Sequence, residues 1–527
     1  MAGGPVASGP GIGANAPKNK LAGLIMVCFS AFGGILFGYD TGVISGIKEM
    51  NDWLQTFGYA TGNPETPYAI TSSTESLVVS ILSAGTFFGA LAGAPVADYI
   101  GRKWGIILAC LVFSVGVAMQ TASTAIPLFV VGRVFAGLGV GLVSCLAPMY
   151  QSETAPKWIR GAVVSLYQFS ITVGLLLATV INNATHNFTS HAAYRIPTAV
   201  QFIWAFVLAS GMLFLPESPR WLIKKGRDDQ AAVSLSRLTG LPANHPDVEA
   251  DIIEIRANLE EEHAMGETSY LDCFRNTKNR MALRTWTGIL IQAWQQLTGI
   301  NFIFYYGTTF FKNSGISSAF LISIATAIVN VFMTIPGIYG VEKVGRRNLL
   351  LYGAAGMCIC EFIVAIVGVT ISVDNLTGQK VLIAFVCIYI AIFASTWGPI
   401  AWVITGEIFP LEVRAKAMSL SVASNWLWNF AIGYATPYLV NSGAGNANLG
   451  SKVFFIWGST CACCCIFTYF FIPETKGLSL EQIDLMYQHT LPVNSLRYRA
   501  RLLAEGQDLK HDIDHKEDAS ESEKPRV

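Results

Sequence analysis

The 527 residues are 52% hydrophobic and 13% charged, with basic and acidic residues in equal number. Soluble domains carry about 25% charged residues, so this composition indicates a membrane protein. A net charge of zero provides no overall field for nucleic acid. The sequence also lacks metal-ligand spacing, a nucleotide loop and a nucleophile arrangement, so we expect no cofactor, no metal and no enzymatic activity.

Twelve apolar runs are long enough to cross a hydrocarbon core of ~30 Å, which takes roughly 20 helical residues. Backbone groups in lipid must be paired internally, and the runs lack strand alternation, so we predict an all-α polytopic fold. The predicted spans are 22–46, 72–97, 103–123, 127–149, 160–181, 196–215, 284–312, 318–341, 347–371, 380–409, 414–440 and 452–472.

These spans divide the chain into two groups of six. The intervening segment is charged, with apolar residues at helical spacing, and predicts short amphipathic helices outside the membrane. The first residues show no signal peptide, and the last are too polar to pack. The predicted regions are an N-terminal tail (1–21), a six-helix bundle (22–215), a linker (216–283), a second six-helix bundle (284–472) and a C-terminal tail (473–527).

Basic residues in short loops predict the orientation, because they concentrate on the cytoplasmic side. The loops after spans 2, 4, 8 and 10 hold nine basic residues, whereas the opposite loops hold five. Both termini and the linker are therefore predicted to be cytoplasmic. Glycosylation sequons begin at Asn183, Asn187 and Asn375, all in loops that this assignment places outside.

Three charged motifs occur in the same order in both halves. DYIGRK recurs as EKVGRR, ETAPKWIRG matches EIFPLEVRAK in its Glu-to-Arg spacing, and PESPR returns as PETKG. This order indicates a duplicated six-helix unit. The charged residues of the first two motifs are Asp98, Arg102, Glu153 and Arg160 in the first half, and Glu342, Arg346, Glu407 and Arg414 in the second.

Together these motifs resemble those of the sugar porter branch of the major facilitator superfamily, over about residues 22–485. TWGPIAW and SNWLWNF are most similar to fungal hexose transporters. The resemblance implies the major facilitator fold, with 12 transmembrane helices in two six-helix bundles built from inverted repeats. It implies transport of a hexose, glucose above all, across the plasma membrane by alternating access. We expect the monomer to function alone.

A group of uncharged amides marks the candidate sugar site. Gln292, Gln295 and Gln296 share one helix face, and Asn301 follows after Gly299. A single amide would more simply join two helices, but four amides among aromatic residues favour a wet cavity. Amides donate and accept hydrogen bonds without charge, which suits neutral hydroxyls. The resemblance adds Gln168, Asn330, Trp402 and Asn425 to this site, and Gln292 is its weaker member.

The charged loop residues are expected to pair across the two halves and close the cytoplasmic end, with Arg102 against Glu153 or the neighbours of Arg160, and Arg346 against Glu407. The alternative is that they are topology signals at solvated helix ends. Several pairs would together bias a two-state transporter, although each exposed pair contributes only ~0–1 kcal/mol. On this hypothesis Arg414→Ala would shift the population toward the inward-open state.

Two ionisable residues inside spans, Asp40 and Arg133, are expected to form a functional pair, since buried charge is costly in a membrane. In the resembled family such a pair serves proton symport, but facilitators among the fungal members also keep the Asp. Symport, facilitated diffusion and a static ion pair therefore all stay open. Glu361 is a further intramembrane acid with no partner evident in the sequence.

Two other classes of function compete with transport. A transporter-like glucose sensor would bind sugar without moving it, and the short tail at 473–527 disfavours that reading. A membrane enzyme acting on glycans would need paired carboxylates in a common cavity, which the sequence does not indicate.

Overall fold

The computed structural model describes residues 20–63, 67–155, 160–264, 269–313, 318–372, 375–410, 413–441, 445–478 and 480–504. Most of these residues are helical. One antiparallel pair of two-residue strands, β1 (Tyr59–Ala60) and β2 (Tyr68–Ala69), follows the first membrane helix. The helices lie in two groups with a helical segment between them, as the sequence predicted.

The first half begins with a span made of two helices joined by the 3-10 turn Ser30–Phe32. A second composite span is formed where a short helix runs directly into a longer one near Val200. The helices are α1 (Lys20–Phe29), α2 (Gly33–Ile47), α3 (Asn51–Phe57), α4 (Ser72–Ile100), α5 (Arg102–Ala122), α6 (Ile126–Thr154), α7 (Arg160–Thr185), α8 (Ala192–Ala199) and α9 (Gln201–Phe214).

The linker forms the short helices α10 (Pro219–Lys224), α11 (Asp228–Thr239) and α12 (Pro246–Ala264), followed by the 3-10 turn Asp272–Phe274. Trp221 of α10 donates its indole N–H to the Asp98 carbonyl, so these helices lie against the end of α4. We call this end of the molecule the linker face, and the end that carries β1 and β2 the opposite face.

The second half repeats the pattern. Its last membrane helix is preceded by the 3-10 turn Gly450–Lys452, and a short surface helix comes before the 3-10 turn Pro492–Asn494. The helices are α13 (Met281–Leu297), α14 (Ile300–Asn313), α15 (Ala319–Lys343), α16 (Arg346–Thr370), α17 (Leu376–Ser395), α18 (Trp397–Glu407), α19 (Arg414–Val440), α20 (Val453–Phe471) and α21 (Leu480–His489).

Ten segments of the described chain are long and apolar enough to cross a membrane. Two of the twelve predicted spans are not among these ten segments, and each has a structural reason. Span 284–312 is broken into α13 and α14 at Gly299, whose φ of +83° suits glycine and where a Cβ would lie 2.6 Å from Cγ of Trp457. Span 414–440 is the continuous helix α19, which carries several polar residues. With these two included, the helices agree with a twelve-helix fold.

The two halves meet along a few helix pairs. Helix α4 packs on α19, α7 packs on α15, and α2 packs on α14. Large apolar side chains point outward, among them Phe206 at 74% exposure and Phe332 at 64%. Such a surface requires an apolar solvent, as a lipid-facing surface does. The interior between the halves carries the polar residues described next.

Candidate functional site

The helix break at Gly299 brings the predicted amides together in the interior. Gln295 donates from Nε2 to the carbonyls of Trp397 at 3.1 Å and Gly398 at 2.9 Å, where α18 begins. Asn425 of α19 donates from Nδ2 to Oε1 of Gln292 at 2.7 Å and of Gln295 at 2.8 Å. Three helices therefore share one hydrogen-bonded group of amides.

The amide group extends across the break. Gln296 donates to Oε1 of Gln295 at 3.3 Å, and its own Oε1 accepts from Asn301 of α14. We define the amide cluster as Gln292, Gln295, Gln296, Asn301 and Asn425. Each of these side chains is buried, with an exposure of at most 6%. The prediction that the amides share one face near a helix break is consistent with this geometry.

The first half bonds at two places to residues of the second half that lie next to the amide cluster. Gln168 of α7 accepts at Oε1 from the indole N–H of Trp402 at 3.1 Å. Ser83 of α4 donates to Oδ1 of Asn429 at 2.7 Å, and Asn429 donates to Gln296 at 3.4 Å. Both bundles therefore contribute polar side chains to one interior region.

The expectation of a wet, open chamber is wrong for this conformation. Two small cavities measure about 10 Å³ each, room for about one water molecule, and no member of the amide cluster lines either. The amides instead bond to one another and to helix carbonyls. The physical reason is that an amide is both donor and acceptor, so neighbouring amides of the second half satisfy each other.

Two residues complete the comparison with the sequence. Asn330 of α15 is buried, but neither of its amide atoms bonds to a described residue, so the structure does not join it to the cluster. Asn429 was missed, although it follows Asn425 by one helical turn in SNWLWNF and accepts the hydroxyl of Tyr305 at 2.8 Å. The i, i+4 spacing of two asparagines was the signal that could have identified it.

The pair Asp40 and Arg133 lies in the first half. The carboxylate and guanidinium are 3.8 Å apart and both side chains are fully buried. No polar atom of either side chain hydrogen-bonds to a described residue. Tyr305 and Tyr306 of α14 lie close enough to Arg133 to interact electrostatically with it. The predicted pair is therefore present. The carboxyl oxygens of Asp40 and the guanidinium nitrogens of Arg133 have no hydrogen-bond partner among the described residues.

Charged residues form two equivalent networks at the linker face. Arg102 donates to Oε1 of Glu153 at 2.8 Å, and its backbone N–H bonds to Glu217 at 3.0 Å. Arg346 donates to Oε1 of Glu407 at 2.8 Å, and its backbone N–H bonds to Glu474 at 3.0 Å. The two networks repeat the internal duplication seen in the sequence.

The remaining charges of these networks sit at the helix ends. Asp98 lies 3.8 Å from Arg102, and Glu342 lies 3.1 Å from Arg346. Arg414 donates to the carbonyl of Phe409 at 3.2 Å. The side chain of Arg160 lies outside the described residues.

Arg102 pairs with Glu153 and Arg346 with Glu407 as predicted, but the prediction that these pairs cross between the two halves is wrong. In the described part of the chain each arginine binds acids of its own half. The reason is local: each arginine starts a helix, so its side chain reaches the neighbouring helix ends of the same bundle. Glu217 and Glu474 of PESPR and PETKG were missed as members. Burial raises the pKa of Glu217, although backbone N–H donors act in the opposite direction.

Residues 26–487 match the family described as "Sugar (and other) transporter". The chain belongs to this family. It is 48% identical to "Probable glucose transporter rco-3" of Neurospora crassa, over 90% of this chain and 80% of that protein. It is 43% identical to "High glucose sensor RGT2" of Saccharomyces cerevisiae, over 89% of this chain and 61% of that protein.

A solved structure agrees with this assignment. The proton:xylose symporter XylE of E. coli bound to 6-bromo-6-deoxy-D-glucose matches 89% of this chain and 100% of its own, with a TM-score of 0.76 and 28% identity. The predicted resemblance to sugar porters and the predicted major facilitator fold are confirmed.

The intramembrane acid of this transporter, Glu361, lies in α16 of the second half and is not a member of the amide cluster. It is 1% exposed, and neither carboxyl oxygen bonds to a described residue with good geometry. It interacts with Tyr389, whose hydroxyl donates to the carbonyl of Thr298 at 2.7 Å, next to the break at Gly299. Glu361 is therefore connected to the helix break through Tyr389, and it is not a member of the charged networks at the linker face.

Arg346→Ala is expected to lower the melting temperature of the purified transporter, because it leaves the partly buried Glu407 without its guanidinium. Loss of a charged hydrogen-bond partner costs about 1.5–3 kcal/mol. Lys343→Ala is the matched control, since Lys343 carries the same charge in the same loop. Equal melting temperatures for the two variants, measured by intrinsic fluorescence in detergent, would contradict the network.

Proposed function

We propose that this protein transports a hexose, with glucose as the best candidate, by alternating access of two bundles around the amide cluster. The observation that carries the proposal is a buried set of uncharged donors and acceptors to which both halves contribute. A neutral, hydroxyl-rich solute can replace these bonds one for one. The printed names of similar proteins, which include a glucose transporter, support the choice of substrate.

The closed amide cluster fits an empty carrier in this proposal. Without substrate, the amides of the second half bond to one another, which leaves Oδ1 of Asn425 without a partner among the described residues and free to bond to a solute hydroxyl. Closure would let the empty transporter return between its two open states. A bound hexose would have to exchange these internal bonds for bonds to its own hydroxyls.

We also propose that the linker face is cytoplasmic, that both termini lie on that side, and that the protein resides in the plasma membrane. The basic residues at the linker face support this orientation, because basic loops concentrate in the cytoplasm. We propose the single chain as the functional unit, since one chain supplies the whole amide cluster and both bundles.

Proton symport is a second candidate, favoured by the buried pair of Asp40 and Arg133. A charged pair with unused bonding capacity in the membrane interior is expensive unless it serves a function. The structural relative XylE is titled a proton:xylose symporter. In this mode a proton would bind at Asp40 and release Arg133 during the cycle.

Uptake of radiolabelled glucose in a host without its own hexose transporters tests these proposals. We expect saturable uptake, competed by unlabelled glucose. Accumulation above the external concentration that a protonophore abolishes would support symport, and so would its loss in Asp40→Asn when equilibrating uptake per folded transporter remains. Uptake that only equilibrates would overturn symport and retain facilitated transport. Glucose binding by the purified protein without any uptake would overturn transport in favour of a sensor.

A further inference from the structure

The two halves are joined at the opposite face by an ion pair that the transport proposal does not use. Lys312 of α14 lies 3.1 Å from Oε2 of Glu49, the second residue after α2. Oε1 of Glu49 accepts the hydroxyl of Thr309 at 2.5 Å, and its backbone carbonyl faces the Lys312 ammonium at 3.4 Å. Three polar contacts therefore link the end of α2 to the end of α14.

Helix α14 is fixed at both ends. At one end lies the break at Gly299, and at the other lies the contact with Glu49. Between them, Asn301 belongs to the amide cluster and Tyr305 bonds to Asn429. These residues and Thr309 lie on one helix face at successive spacings of four, so the face that carries the ion-pair contacts also covers the cluster.

We propose that Glu49 and Lys312 are positioning residues of the transport cycle, which hold α14 over the amide cluster and set how often the opposite face opens. This inference rests on the proposed transport function. Opening toward that face requires α14 to move away from α2 about the break at Gly299. The ion pair must then separate, whereas the pairs at the linker face can remain intact because they lie within one half.

The size of the effect follows from exposure. The Lys312 side chain is 40% exposed and that of Glu49 is 16% exposed, so solvent screens the pair partly. Pairs of this kind contribute ~0.2–1 kcal/mol. The upper part of that range, ~0.4–1 kcal/mol, would change the ratio of open to closed molecules by about two- to fivefold. A change of this size matters little for the free energy of unfolding of the protein. It matters for a gate whose open and closed states are close in free energy.

External pH should act on the same contact. Burial raises the pKa of Glu49, but Lys48, Lys312 and the Thr309 hydroxyl lower it more, so its net pKa lies below the ordinary range. The pair therefore stabilises closure above the ordinary value of about 4.3 and loses that contribution as pH falls through the lowered pKa. Other ionisable groups nearby are Glu75, which binds Lys48, and His186, which stacks on Phe320 beside Lys312.

The labelling rate of an engineered thiol beneath the ion pair reports how often the opposite face opens, and this measurement needs no sugar. Ser45→Cys lies one turn before Glu49 and opposite Thr308 at 3.4 Å, and Ser45 is 6% exposed. In nanodiscs, where reagent reaches both faces, we expect Glu49→Gln or Lys312→Met to raise the maleimide labelling rate two- to fivefold. The double charge reversal Glu49→Lys with Lys312→Glu should return the rate to that of the parent. Labelling of the protein without Ser45→Cys gives the background of the eleven native cysteines.

Asp228→Asn is the matched control, because it breaks the half-exposed pair with Arg256 in the linker. It should leave labelling unchanged. Raising the salt concentration should accelerate labelling of the parent and not of Glu49→Gln. The proposal is overturned if Glu49→Gln labels at the parent rate, or if the double reversal labels as fast as the single variants.

Uptake kinetics give a second measurement that does not depend on the engineered thiol. More frequent opening at the entry face raises the binding-competent fraction, so KM for glucose should fall two- to fivefold in Glu49→Gln. The double reversal should restore KM, which a merely structural defect would not do. Faster labelling in a protein that takes up no sugar would overturn the transport proposal and retain the proposed role of the ion pair in opening. An unchanged KM together with an unchanged labelling rate would overturn the proposed role of the ion pair and leave the transport proposal intact.

Discussion

Arg133→Leu is expected to remove most of the folded transporter, because it leaves the carboxylate of Asp40 alone in the membrane interior. Both side chains are fully buried and 3.8 Å apart. Removing one partner of a buried ion pair typically costs about 3–5 kcal/mol, which is comparable with the net stability of many domains. Folded yield and melting temperature after detergent extraction, measured by fluorescence-detected size exclusion, provide the test.

The double variant Asp40→Asn with Arg133→Leu separates charge from packing. It removes both charges, so it should recover most of the yield lost in the single variant. If Arg133→Leu matched the parent in yield and melting temperature, the pair would not be the buried charge pair described above. If the double variant were as poor as the single one, the loss would be due to side-chain volume rather than to the unpaired carboxylate.

Gln295→Leu is expected to lower glucose uptake at low sugar concentration by about 10- to 100-fold. Leucine keeps the volume but removes the donor to the carbonyls of Trp397 and Gly398 and the acceptor for Asn425. Each buried polar group left unpaired costs about 1–3 kcal/mol. The bound sugar also loses one of the amides that would replace the hydrogen bonds its hydroxyls make with water. Initial uptake rates, normalised to protein in the membrane, measure this change.

Gln120→Leu is the control for this substitution. Gln120 is a buried glutamine of α5 in the first half, and its Nε2 bonds to no described residue. It should change uptake less than twofold. A Gln295→Leu protein that transports like the parent would show that the amide cluster is only structural. Gln295→Asn, which keeps the amide on a shorter side chain, should retain part of the activity.

Much of the fold is readable from the sequence, because lipid imposes a simple rule on apolar length. The positions of the spans, the division into six and six, and the repeated motifs around Arg102 and Arg346 all agree with the helices observed. The amides of α13 were also identifiable, since three of them share one helix face beside a glycine. These features depend on local spacing, which sequence records directly.

Spacing did not show which contacts stay within one half and which cross between the halves. Tertiary packing decided that Arg102 and Arg346 bind acids of their own halves, and that Glu217 and Glu474 join them. It also decided that the amides close on each other, and that Glu49 meets a lysine 263 positions away.

The sequence by itself therefore determined which segments cross the membrane, where the chain is duplicated and which side chains are polar inside it. Only the tertiary structure decided which of those polar groups satisfy one another. The reason is that burial in lipid is a property of each segment, whereas hydrogen-bond and ion-pair partners depend on how separate helices come together in space.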